Sequence, residues 1–158
     1  IKRKYKCLVW GILRPLNGKI DTFISRNKRN RQLMSVSEIS GKRAITNYKT
    51  IKTFYSEDIP KISLMECELE TGRTHQIRVH LSYKGVSILG DKQYGKKKLK
   101  FKRIKKELSY LLDNLKGQLL HAETIEFTHP TKSKWVKFKS ELPKDFKKVL
   151  SFLENVNG

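Results

Sequence analysis

The segment Ile62-Ser63-Leu64-Met65-Glu66-Cys67-Glu68-Leu69 most constrains the fold of this chain. It alternates apolar and polar residues over eight positions, the two-residue period of a strand with one buried face. Shorter runs of the same kind precede it. Tyr5–Trp10 is β-rich and ends at Gly11, Ile20–Ile24 and Leu33–Val36 are short strands, and Ala44–Tyr55 is long and rich in β-branched and aromatic residues. Pro15 and Asn17-Gly18 mark a turn between the first two, and Pro60 closes the connection before Ile62.

Beyond residue 70 the pattern changes. Ile77 and Leu81 lie four apart, on one face of a helix that Thr71 or Thr74 can cap and Gly85 can stop. Glu107–Leu115 is helical in pattern. Leu119–Phe127 and Trp135–Phe138 return to strand character on either side of a turn beginning at His129-Pro130. Pro143 opens a last amphipathic helix carrying Phe146, Val149, Leu150 and Leu153. Strands following strands with few crossover helices predict an α+β domain: a mixed, mostly antiparallel sheet flanked by a few helices. A length of 158 residues is one domain's worth.

Charge narrows the partner. Lys and Arg number 35 against 15 Asp and Glu, a formal +20. A field of that sign gathers polyanions, and nucleic acid is the first candidate because each neutralised phosphate releases counterions. An anionic membrane surface is the rival. No apolar run approaches the ~18 residues of a membrane span and no signal sequence is evident, so the expectation is a cytoplasmic protein without a membrane partner. Cys7 and Cys67 have neither Cys-x-x-Cys nor zinc-finger spacing, and are expected as reduced core residues with no metal site.

The densest cluster of unusual residues is Glu70-Thr-Gly-Arg-Thr-His-Gln-Ile-Arg-Val-His80, with two Arg and two His within eight residues at a strand-to-helix junction. Helix N-termini bind anions, and Arg73 lies beside that turn. Arg78 falls at the edge of the apolar stripe, where a guanidinium needs an anion. Two readings follow: a structural carboxylate such as Glu68 or Glu70, or a catalytic carboxylate held by Arg78. Asp91 is read as closing a turn, and His121 and His129 as structural.

The string from Leu69 to His80, followed by Gly85 and Ile88-Leu-Gly-Asp-Lys-Gln-Tyr-Gly95, resembles a signature region of RluA-type RNA pseudouridine synthases. Lys4-Tyr-Lys-Cys-Leu-Val-Trp-Gly11 resembles the tyrosine-bearing strand of that family, Leu120-His-Ala122 its late Leu-His-Ala element, and Thr128-His-Pro130 the turn that follows. The match spans about residues 4 to 143, and the Gly-Arg-Thr-His-Gln-Ile-Arg string is long and specific. The resemblance implies that Tyr5 stacks on a flipped uracil and that Arg78 pairs with a nucleophilic aspartate, keeping it ionised. It implies that Arg73, His75 and Gln76 organise the site or touch the RNA backbone. It further implies isomerisation of uridine to pseudouridine in structured RNA, 23S ribosomal RNA above all, by a monomer needing no cofactor or metal.

In that family the aspartate sits in a His-Arg-Leu-Asp element upstream of the tyrosine strand, and this chain has no Arg-Leu-Asp. The chain also lacks an initial Met. The 158 residues are therefore expected to be the C-terminal portion of a catalytic domain, inactive alone. Lys96 to Lys106 places eight cations in eleven residues, and Lys96, Lys97, Lys98, Lys100, Lys102 and Arg103 are expected to meet RNA phosphates. The second functional reading is a non-catalytic RNA-binding or ribosome-associated protein. A metal-dependent nuclease is disfavoured because the acidic residues are sparse and scattered.

Overall fold

A computed structural model of the chain describes residues 1–95 and 104–157. Seven strands, β1 (Lys2–Trp10), β2 (Asn17–Arg26), β3 (Met34–Ser37), β4 (Lys42–Ser56), β5 (Ile59–Leu69), β6 (Leu120–Thr128) and β7 (Trp135–Lys139), form one sheet. Helices α1 (Gln76–Tyr83), α2 (Lys106–Asp113) and α3 (Lys144–Asn157) flank it. The strand order is β3-β2-β4-β5-β1-β6-β7, and every neighbouring pair is antiparallel. The α+β class is as expected, but the described sheet is not mixed. Sequential neighbours such as β4 and β5 are joined by a two-residue turn, which antiparallel pairing permits and parallel pairing does not.

The eight-residue pattern at Ile62–Leu69 has a stricter consequence than one buried face. Its alternation slips phase at Leu64-Met65. Ile62 and Leu64 pack into the core on one side of the sheet, and Met65, Cys67 and Leu69 into the core on the other. β5 is therefore the central strand of the seven, covered on both faces. The helices supply the covers. Ile77 and Leu81 of α1 lie against Cys7, Val9 and Met65 on one face. Leu108 of α2 with Phe146, Val149 and Leu153 of α3 lie against Leu8, Ile62 and Leu64 on the other. Burying one such Leu or Phe side chain contributes roughly 1.5–3 kcal/mol.

Asn17-Gly18 is not a turn. Both residues open β2 and pair with Lys49 and Tyr48 of β4. The reason is the Tyr48 ring, whose hydroxyl donates to the Pro15 carbonyl oxygen (2.9 Å) and so lies across Gly18. A Cβ at Gly18 would come within 2.8 Å of that hydroxyl. Cys7 and Cys67 are free thiols with no exposed surface. Each lies near the other across β1 and β5, and the neighbouring thiol together with burial raises the Cys7 pKa.

Candidate active site

The site is built from the turn that leads β5 into α1. Neither Thr71 nor Thr74 caps the helix; the N-cap is His75, in the left-handed region at φ 54° with no capping side chain. Gln76 does the work expected of a cap. Its Oε1 accepts from the Arg73 N–H (3.0 Å) and the Thr71 hydroxyl (2.8 Å). Its Nε2 donates to the Ile45 carbonyl (3.0 Å) and to Thr46 Oγ1 (2.9 Å). The side chain is buried and its amide is occupied at both ends, so Gln76 organises the turn. The helix ends as expected. Gly85, at φ 84°, follows Lys84, while the Gly85 and Val86 N–H groups close onto the Ser82 and Leu81 carbonyls.

Arg78 faces neither Glu68 nor Glu70. Glu70 lies on Lys19 (3.1 Å) and accepts from Asn47 (2.8 Å). The partner of Arg78 is Asp91: Nε donates to Oδ2 (2.9 Å) and Nη2 to Oδ1 (2.8 Å). Nη2 also donates to Gln93 Oε1 (2.8 Å), and the guanidinium lies 4.9 Å from the centroid of the Tyr94 ring. Asp91 does close a turn, since Oδ1 accepts from the Gln93 and Tyr94 N–H groups at 3.1 Å. A Cβ at Gly95 would run into the Asp91 carbonyl oxygen, so the turn requires glycine there. Burial raises the Asp91 carboxyl, but Arg78 and the two backbone donors outweigh it and hold the pKa below the usual value. The hydrogen bond to Asp91 raises the Arg78 pKa in return. These contacts use the Nε–Nη2 edge of Arg78 and leave Nη1 out of the pair.

Tyr94 ties this turn to the start of α1. Its hydroxyl accepts from the Met34 N–H (2.9 Å) and lies 2.7 Å from His75 Nδ1, to which it can give its own proton. Burial, then the Arg78 charge, lowers the His75 pKa, so the ring is neutral at pH 7 and can accept. Sequence reasoning missed Tyr94, although it stands in the Ile88–Gly95 string; a tyrosine three residues after a turn aspartate was the available signal. His80 is fully buried between Thr22 Oγ1 (2.9 Å from Nε2) and Thr46 Oγ1 (2.8 Å from Nδ1), a structural role.

Tyr5 lies on the α1 side of the sheet, in phase with Cys7 and Val9. Its cross-strand neighbours are Cys67 on β5 and Ala122 on β6. Both are small, Ala122 is exposed and the Tyr5 ring is half-buried. Arg73 donates from Nε to the Arg43 carbonyl (2.9 Å) and lines a cavity of about 440 Å³ with Arg26 and Lys42, three cations around one hollow. Lys96, Lys97, Lys98, Lys100, Lys102 and Arg103 lie outside the described residues. Among the described residues no three His, Cys, Asp or Glu side chains gather as metal ligands would, and no helix is long and apolar enough to cross a membrane.

An all-antiparallel described sheet, with the Gly-Arg-Thr-His-Gln-Ile-Arg turn and the tyrosine strand on one face, defines a family. The sequence profile of the RNA pseudouridylate synthases matches residues 1–83, and the chain belongs to that family, in its RluA-type branch. It is 39% identical over 162 residues to an uncharacterized RNA pseudouridine synthase of Chlorobaculum parvum, covering 99% of this chain and 48% of the relative. It is 40% identical over 155 residues to the ribosomal large subunit pseudouridine synthase D of Zymomonas mobilis, covering 97% of this chain and 45% of that one. The chain thus spans about half the length of the curated relatives it matches. The solved structure of human RNA pseudouridylate synthase domain containing 4 shares the fold, with a TM-score of 0.69 and 22% identity, covering 97% of this chain and 62% of that one.

Proposed function

We propose that this chain is the C-terminal portion of the catalytic domain of an RNA pseudouridine synthase acting on large-subunit ribosomal RNA. In this reading the enzyme cleaves the N1–C1′ bond of a uridine, turns the base, and joins C5 to C1′ while the C5 proton is lost and N1 gains one. Arg78 carries the reading. It is buried on the Tyr5 face of the sheet, fixed side-on by Asp91, with Nη1 outside that pair. A second carboxylate meeting Nη1 would be held ionised by the same guanidinium, as a nucleophilic aspartate requires. That aspartate belongs to the Arg-Leu-Asp element expected upstream of the tyrosine strand. Tyr5, with Ala122 beside it, offers its ring to the flipped uracil.

Arg73, with Arg26 and Lys42 around the same hollow, and Lys96, Lys97, Lys98, Lys100, Lys102 and Arg103 would meet RNA phosphates. His75, locked to Tyr94, would hold the turn that carries Arg73. The relatives named for the large ribosomal subunit support ribosomal RNA as the substrate. The test is to map pseudouridines in ribosomal RNA from cells with and without the gene. Loss of one or more defined large-subunit sites is expected. An unchanged map would favour a non-catalytic RNA-binding protein.

A further inference from the structure

Four cations stand on the first half of β1 around the tyrosine: Lys2, Arg3, Lys4 and Lys6. Lys4 pairs with Glu66 (3.6 Å) and Lys6 with Glu123 (3.3 Å). Both project to the side of the sheet away from Tyr5, because side chains alternate along a strand. Arg3 is in phase with Tyr5, and its side chain has no hydrogen bond or ion pair among the described residues. Its side chain is half-buried and its Nε is wholly shielded from solvent with no partner.

The guanidinium is nevertheless placed. It rests against Gly72, the glycine of the Gly-Arg-Thr-His-Gln-Ile-Arg turn. A Cβ there would stand 2.6 Å from Arg3 Nη1 and 3.2 Å from Nη2. Gly72 and the Arg3 guanidinium are thus in close contact, and a side chain at residue 72 would displace the guanidinium. Glu70, two residues before Gly72, is committed to Lys19 and Asn47. A guanidinium partly withdrawn from water without an anion is costly, and one beside a substrate site is supplied by what binds there.

We propose that Arg3 is a substrate-binding residue that grips an RNA backbone phosphate next to the base received by Tyr5. This rests on the reading of the site as an RNA pseudouridine synthase. A guanidinium fork suits a phosphate, donating to two of its oxygens at once. The contact would hold the strand two residues along β1 from the stacking ring, so one strand would set both backbone and base.

The experiment measures affinity of the full-length protein for transcribed large-subunit ribosomal RNA across a salt series, alongside pseudouridine formation by the wild type. Arg3→Gln should weaken binding by roughly tenfold, the size of one hydrogen bond to a charged group. It should also lower the slope of log affinity against log salt by about 0.7, one phosphate on a single strand. Arg3→Lys should keep the slope and lose a few-fold in affinity, since a point charge replaces the fork. Lys84→Gln, an exposed cation at the far end of α1, should do less than Arg3→Gln. Unchanged affinity and slope in Arg3→Gln, or an equal loss in Lys84→Gln, overturns the proposal, as does failure of both Arg3 variants to fold. A wild type that binds the RNA but forms no pseudouridine sinks the enzymatic reading instead, and leaves the phosphate contact to be judged by the slopes.

Discussion

Arg78 and Asp91 meet edge to edge, through two hydrogen bonds of 2.9 and 2.8 Å, with both residues buried. One comes from the first turn of α1 and the other from the turn after it, so the pair locks the helix to the segment that follows. Removing one member of a buried pair strands a charge, at about 3–5 kcal/mol. Asp91→Ala should lower stability by that amount in urea unfolding. The double variant Arg78→Met, Asp91→Leu should recover much of the loss, because an apolar pair of similar volume leaves no charge behind. A double variant as unstable as the single one would mean that the turn geometry at Gln93 and Tyr94, not the charge, dominates.

His80 makes stability depend on pH. Burial pushes its pKa down to about 4, with Thr22 and Thr46 holding the neutral ring. In the unfolded chain a histidine protonates near 6.5, so on acidification the unfolded state takes up the proton first. The stability due to neutral His80 is fully present above about pH 6.5 and drains as pH falls towards 4, a loss of about 3 kcal/mol. Urea unfolding between pH 7 and 4 should show this fall in the wild type, less steep in His80→Gln. Parallel profiles would contradict the assignment.

Ala122, the cross-strand neighbour of Tyr5 on β6, can be enlarged without disturbing the core, because it is exposed. Ala122→Trp should leave the melting temperature within a few degrees, as surface substitutions usually shift stability by about 0.5 kcal/mol or less. It should cut pseudouridine formation by the full-length protein by about tenfold or more, since a stacked base contributes roughly 1–3 kcal/mol. Full activity in that variant would show that the base does not enter beside Ala122.

Much of the architecture was legible because it follows from local chemistry. The strand runs, the Gly85 stop and the Phe146–Leu153 stripe are periodicity and backbone freedom, and each element formed within a few residues of its expected place. Asn17-Gly18 failed because a distant ring, Tyr48, and not a hairpin, demanded the glycine. The Thr cap failed because Gln76 folds back to fill that position, a choice made by its partners at Ile45 and Thr46 on β4. Arg78 was correctly read as needing an anion, but its partner stands thirteen residues away across a loop, and no helical or strand period connects them. Arg3 drew no notice because what distinguishes it from Lys4 and Lys6 is the absence of a partner among the described residues, which only coordinates reveal.

The central claim is that the Arg78 guanidinium, fixed by Asp91, holds a second, nucleophilic carboxylate. It is tested most directly by single-turnover pseudouridine formation in large-subunit ribosomal RNA, comparing the full-length protein with its Arg78→Lys variant after both are shown to be folded. Lysine can answer Asp91 but cannot span two carboxylates with a planar fork. The account predicts a rate at least about a hundredfold lower in the variant, the scale of a lost electrostatic contact in an active site. A variant that is folded and as fast as the wild type would contradict it.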